Sequence, residues 1–277
     1  MSRSPGSLAD QRWRLVAAGL VAVLAFAACG GSSSQAPTTG PDQTSGPGDS
    51  QEPDDSQEPG STDGPNGGDG GEAFTAATTA LDALDSYAFR VEIESTTISG
   101  DVTTTSDTVM SGVVVNSPEE ASSLIQEELD ADGNVTSSSG IFVIGDAAWV
   151  GDGDTWTPIP AAQAAAFIGS MSAFRPEQMF GLYFAGIGGN FSEVGSESKN
   201  GIDSTHYQGD EEVGTILGAI AGFQGQWSSD VWIARDGGYL VHSEAGAQAA
   251  AGADAGSFLI VVDITDPNSA GPIEPPA

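Results

Sequence analysis

Between Gly30 and Glu72 the chain contains no Leu, Ile, Val, Met, Phe, Tyr or Trp. A tract built of Gly, Ser, Pro, Asp, Gln and Thr cannot bury enough apolar surface to offset chain entropy, so it is expected to stay disordered. It carries a short echo, DSQEP twice within "DSQEPDDSQEPGS", and reads as a solvated spacer rather than as a calcium site. As a flexible coil it would span roughly 35–40 Å. All folding then falls on residues 73–277, enough for one domain with a substantial core.

What precedes the spacer is a different kind of segment. Arg3, Arg12 and Arg14 lead into the apolar run Leu15–Ala28, "LVAAGLVAVLAFAA", which ends at Cys29, the chain's one cysteine. A basic start, a short apolar stretch and small residues describe an export signal. The run is shorter than the ~20 residues that a membrane-crossing helix needs. "FAAC", Phe26–Cys29, resembles the bacterial lipobox, with Phe26 where Leu is usual. That resemblance implies a cysteine carrying diacylglycerol and palmitate after cleavage. Two or more acyl chains anchor durably where one does not. The expected organisation is a lipoprotein signal peptide over 1–28, an acylated cysteine and linker over 29–72, and a domain over 73–277 held at the extracytoplasmic face of the cell membrane.

The chain's net charge is −32. Residues 1–28 hold three arginines against Asp10, so the mature chain is more negative still, with Arg90, Arg175, Lys199 and Arg235 as its basic residues. Binding to nucleic acid depends on clustered Lys and Arg, which excludes that class of partner. An anionic lipid surface should likewise repel the domain.

Within the domain, Phe74, Ala77, Leu81 and Leu84 recur at helical spacing in "EAFTAATTALDALDS". At Ser86 the period changes: Tyr87, Phe89, Val91 and Ile93 alternate with Ala88, Arg90, Glu92 and Glu94, which predicts a strand with one wet face. Further strands are predicted at 103–116, 122–129, 141–144, 148–151 and 156–159. A helical middle is predicted at 161–186, strands near 193–197 and 205–208, a small-residue helix in "EVGTILGAIAGF", and strands at 230–235, 239–244 and 257–264. One helix, hairpins, a helical insertion and more hairpins make an antiparallel α+β fold.

Three stretches carry a family resemblance: "ALDALDSYAFRVEIE", "FVIGDAAWVGDGDTWTPIP", and "VGSESKNGIDSTHYQGD" with "DVWIARDGGYLVHSE". The ending "DITDPNSAGPIEPPA" adds to them. They resemble the LolA/LppX-like bacterial lipoproteins (LppX/LprG type and actinobacterial relatives). The resemblance implies a curved antiparallel sheet wrapped as a half barrel around a few helices, enclosing an apolar cavity for acyl chains. It implies no catalysis.

The residues themselves support no enzyme. His206 and Ser204 lack an oxyanion site and there is no Gly-x-Ser-x-Gly turn, so His206 reads as a hydrogen-bonded sheet histidine and His242 as facing neighbours or solvent. "DADGNVTSSSGI" begins like a calcium loop but has Val135 and Ile141 where Gly and Glu are needed. With the lone cysteine expected to be acylated and the histidines unclustered, no zinc site and no cofactor are expected. The candidate cavity lining is apolar: Phe89, Val91 and Ile93 on the first strand, Phe167, Ile168, Met171, Phe174, Met179, Phe180 and Leu182 in the middle helices, and Ile216, Leu217, Ile220 and Phe223 on the small-residue helix. Methionine and phenylalanine adapt to irregular guests. The sequence thus leaves two functions open. One is a monomeric, membrane-anchored lipoprotein that binds or shuttles a lipid or other apolar ligand. The other is a surface lipoprotein with a filled core and a protein partner.

Overall fold

The computed structural model describes residues 70–276, apart from 153–154, 185–186, 224 and 250–254. The signal segment, Cys29 and the spacer up to residue 69 lie outside the described residues.

The folded region starts slightly ahead of the expected boundary. Helix α1 spans Gly70–Asp82 and buries Gly70, Phe74, Ala77 and Leu81 along one stripe. Eleven strands follow, in an order set by hairpins: β1 (Ser86–Ser99), β2 (Val102–Val115), β3 (Ala121–Leu129), β4 (Val135–Ile144), β5 (Ala147–Gly151) and β6 (Trp156–Pro158). Then come helix α2 (Ala161–Met171), a 3-10 turn at Ser172–Phe174, helix α3 (Pro176–Phe184) and a second 3-10 turn at Gly188–Asn190. The chain ends with β7 (Phe191–Lys199), β8 (Ile202–Gly209), helix α4 (Glu211–Ala221), β9 (Gln226–Ala234), β10 (Leu240–Ala249) and β11 (Ala255–Thr265).

All eleven strands join one antiparallel sheet in the order β6-β5-β4-β3-β2-β1-β11-β10-β9-β8-β7. Two meanders, β1 to β6 and β7 to β11, are sewn together where β11 pairs with β1, from Ala88 opposite Thr265 to Ile98 opposite Ala255. The consequence is topological. β6 and β7 flank the α2–α3 insertion in sequence yet form opposite edges of the sheet. Strands spaced ~4.8 Å apart put those edges about 48 Å apart in a flat sheet. The insertion must therefore travel across a face of the sheet, and twist and curvature shorten its path. The architecture is the open, curved α+β half barrel expected from the sequence.

The faces sort by alternation. Tyr87, Phe89 and Val91 of β1 are buried on the inner face, where their cross-strand partners are Val114, Gly112 and Met110 of β2, and Ile264 and Val262 of β11 for the latter two. A side chain at Gly112 would collide with the Ser123 carbonyl and the Phe89 ring, so this glycine makes room for the ring. Arg90, Glu92 and Glu94 alternate onto the outer face. Both edges are blunted against pairing with other chains. β6 is three residues long and ends in Pro158, and β7 carries Glu193, Glu197 and a register break at Gly195.

Candidate functional site

The inner face is sealed at one end by aromatic packing. Phe74 of α1 stacks on Phe184 at 4.7 Å between ring centres and meets Phe191 edge-on at 4.8 Å. Phe180 stacks on Phe184 at 5.7 Å. A buried polar cluster fixes α3 over this end. The Tyr87 hydroxyl donates to Glu177, whose side chain is 1% exposed and is also ion-paired with Arg175. Arg175 in turn donates to Asn116 Oδ1 at 2.5 Å, and Asn116 ties down the carbonyls of Asp82 and Leu84 at 3.0 and 2.8 Å. Burial first, and then the Glu177 charge, push the Tyr87 hydroxyl far above its ordinary pKa, so it stays a donor. The carboxylate is paired and hydrogen-bonded, as a buried charge must be.

The candidate lining residues differ in burial. Phe89, Val91, Phe180 and Leu217 belong to the closed core, and Ile93 and Ile216 pack half-buried against it. Met171 is buried at the end of α2. Phe167, Ile168, Phe174, Met179 and Phe223 are half-buried outside that core, whereas Ile220 is 40% exposed. The Leu182 side chain lies outside the described residues.

Helix α4 is held firmly. The Asp210 side chain accepts hydrogen bonds from the amides of Glu212 and Val213, and Gly222 ends the helix in the left-handed region at φ 67°. Gly214 and Gly218 lie against Trp227, where an added Cβ would come within 3.0 Å of its side chain. The glycines therefore set a close seat for the helix rather than a hinge.

Sequence reasoning missed part of the inner face. Trp227 of β9 and Phe258 of β11 are half-buried with ring centres 5.5 Å apart, and Phe223 completes the group at 6.3 and 6.4 Å. Ile260, Leu124 and Val150 are also half-buried. The signal for Phe258 and Ile260 was present in the alternation of "SFLIVVDIT". Trp227 needed the β9–β10–β11 register, which places it opposite Ala247 and Ala247 opposite Phe258.

The remaining motifs resolve into structural parts. Asp130 closes the β3–β4 turn, accepting from the amides of Asp132 and Asn134 at 3.0 and 2.9 Å. The Asn134 amide bonds, backbone first and then side chain, hold the Asp130 carboxyl below its ordinary pKa. His206 and His242 both sit on the outer face, hydrogen-bonded to Asp230 and Asp263 at 2.8 and 2.7 Å. Burial pushes the Asp263 carboxyl up, but the bonds from Asn200 and His242 outweigh it and hold the group below its usual range. Among the described residues no helix is long and apolar enough to cross a membrane.

An open antiparallel half barrel with helices on its inner face defines the class by fold. No family model matches the chain, and no curated protein matches it. Solved structures do. The lipoprotein LppX of Mycobacterium tuberculosis is 19% identical, covering 74% of this chain and 97% of its own with a TM-score of 0.39. LprF of Mycobacterium bovis is 12% identical, covering 76% and 97% with a TM-score of 0.43. A LolA superfamily protein of Nitrosomonas europaea is 11% identical, covering 74% and 94% with a TM-score of 0.23. These neighbours fall in the group that the sequence motifs resemble.

Proposed function

We propose that the protein is an exported lipoprotein, anchored through Cys29 in the cell envelope, whose domain binds or shuttles a lipid-like apolar molecule between its sheet and helices. The observation that carries this reading is the half-buried state of large apolar side chains on the inner face and the helices over it, namely Phe167, Ile168, Phe223, Trp227, Phe258 and Ile260. A 16-carbon chain leaving water for such surroundings gains about 13 kcal/mol at ~0.8 kcal/mol per methylene. It loses about as much on leaving a bilayer, so transfer between membrane and protein is near balance, which suits a carrier. The acidic domain opposes close approach to anionic lipid over a reach of ~8 Å at physiological salt. Transfer from anionic vesicles should therefore quicken with added salt.

The stacked rings of Phe74, Phe180, Phe184 and Phe191 favour the second reading at their end of the molecule, where the core is filled. Native mass spectrometry of protein purified without detergent separates the two. Mass increments of acyl-chain size that disappear on delipidation support the carrier, whereas a bare mass and no uptake of added lipid support a filled core with a protein partner.

A further inference from the structure

The wet face of an antiparallel sheet alternates to polar residues, and β1 follows that rule with Arg90, Glu92 and Glu94. From β2 to β6 the same face departs from it. Cross-strand register runs from Val113 through Ser123 and Phe142 to Trp149, and from Ile125 through Gly140 and Gly151 to Trp156. Val113, Ile125, Phe142, Trp149 and Trp156 are all half-buried. Two glycines seat the Trp156 indole. An added Cβ at Gly140 would come within 2.6 Å of its Cη2, and one at Gly151 within 2.7 Å of its Cδ2. The ring thus spans β4 and β5, and Phe142 meets it at 88° with ring centres 4.6 Å apart. Contiguous apolar side chains rimmed by polar ones mark interaction surfaces.

The rim of this patch is acidic. Glu127, two residues along β3 from Ile125, lies in a row with Val109 of β2 and Glu92 of β1. In the next row Asp107 is directly opposite Glu94. Like charges so placed destabilise a sheet unless something neutralises them. Oxygens of Glu92, Glu94 and Asp107 lie within 4.8 Å of one another, and Asp107 Oδ1 is buried without a hydrogen-bond partner. Among the described residues, the one ion pair made by these four acids joins Glu92 to Arg90 at 3.2 Å.

We propose that the outer face of β1 to β6 docks a basic, arginine-bearing segment of a partner protein. Trp156 is its stacking anchor, and Glu127, Glu92, Glu94 and Asp107 are its charge complement. Charge selects this occupant. A chain of net charge −32 opposes a second copy of itself and any anionic polymer. Arginine suits both halves of the surface, because its guanidinium stacks on aromatic faces and forks onto carboxylates. The spacing also fits. Asp107 lies two strands and four residues from Gly140, beneath the indole. At ~4.8 Å per strand and ~3.4 Å per residue that separation is about 17 Å. An extended segment of six residues covers about 20 Å. The surface lies on the opposite face of the sheet from the apolar site, so this assignment stands apart from the carrier reading.

Calorimetric titration of the full-length protein with blocked hexa-arginine and hexa-lysine peptides tests the proposal. Hexa-arginine should bind about tenfold more tightly than hexa-lysine, because only the guanidinium stacks as well as pairs. Trp156→Ala should erase that preference and weaken hexa-arginine at least about tenfold. Glu94→Gln combined with Asp107→Asn should weaken both peptides about tenfold and raise the melting temperature, since the opposed charges are gone. The linker 30–72 contains no aromatic residue, so its acids add the same background to every variant. If Trp156→Ala fails to fold, the double acid variant decides, because Glu94 and Asp107 lie outside the core. Equal affinity for the two peptides, an arginine preference that survives Trp156→Ala, or affinities untouched by the double acid variant would overturn the proposal.

Discussion

Helices α2 and α4 are each eleven residues long and rich in small residues, yet the structure treats them differently. α4 is capped by Asp210, ends on Gly222, and buries Val213, Gly214, Leu217 and Gly218. α2 begins after Pro160 with no side-chain cap and buries Ala164 and Met171 alone. The strands beneath follow suit. β9 and β10, on the α4 side, contain fully buried Val231 and Val241, whereas β5, on which α2 packs, buries Ala148 alone, and β3 has no buried residue although it is internal to the sheet. The closed core therefore lies under the body of α4, whereas apolar surface is left half covered both along α2 and beyond the end of α4, where Phe223, Trp227 and Phe258 meet. The difference comes from topology: α2 lies on the long crossing from one sheet edge to the other, and α4 joins adjacent strands.

The strongest way to break this contrast is to release the fixed end of the crossing. Glu177→Ala leaves Arg175 without its buried partner and should cost about 3–5 kcal/mol, read from urea unfolding. Next in size is a paired substitution on the two helices. Leu217→Ala should cost about 2–5 kcal/mol as a core cavity, whereas Ile168→Ala should stay below about 1 kcal/mol. Equal losses at both positions would show that α2 is as well seated as α4.

The alternation of Tyr87, Phe89, Val91 and Ile93 made β1 and its inner face legible, and the spacing of Phe74, Ala77 and Leu81 did the same for α1. β4 begins at Val135, earlier than expected, because "VTSSSG" has no apolar alternation and becomes strand by pairing along β3. Likewise β10 continues through Ala245–Ala249, where Ala, Gly and Gln have little strand preference, because β9 and β11 hold it on both sides. The crossing itself was illegible, since it depends on β1 pairing with β11, and local pattern carries no record of that. Glu177 in "RPEQMF" reads as an ordinary first-turn acid until the fold places Tyr87 over it.

Smaller tests sharpen the comparison. Asp210→Ala removes the α4 cap and should cost ~1 kcal/mol, and it should bring the amide exchange of α4 closer to that of α2. The smallest effect is at Asp130, whose lowered folded pKa means that its contribution is complete above the ordinary carboxylate range. That contribution is lost as pH falls through the folded value, below about pH 4. An acid-unfolding series should show that limb reduced in Asp130→Asn.

The central claim is that the half-covered inner face takes up an apolar chain. Binding of a fluorescent C16 fatty acid (a palmitate analogue) to the delipidated, folded protein tests it most directly. The expected result is saturable binding with one dominant site, weakened at least about tenfold by Phe167→Glu or Phe258→Glu while the melting temperature changes little. A well-folded, delipidated protein that leaves the probe in solution, or binds it equally after both substitutions, would contradict the account.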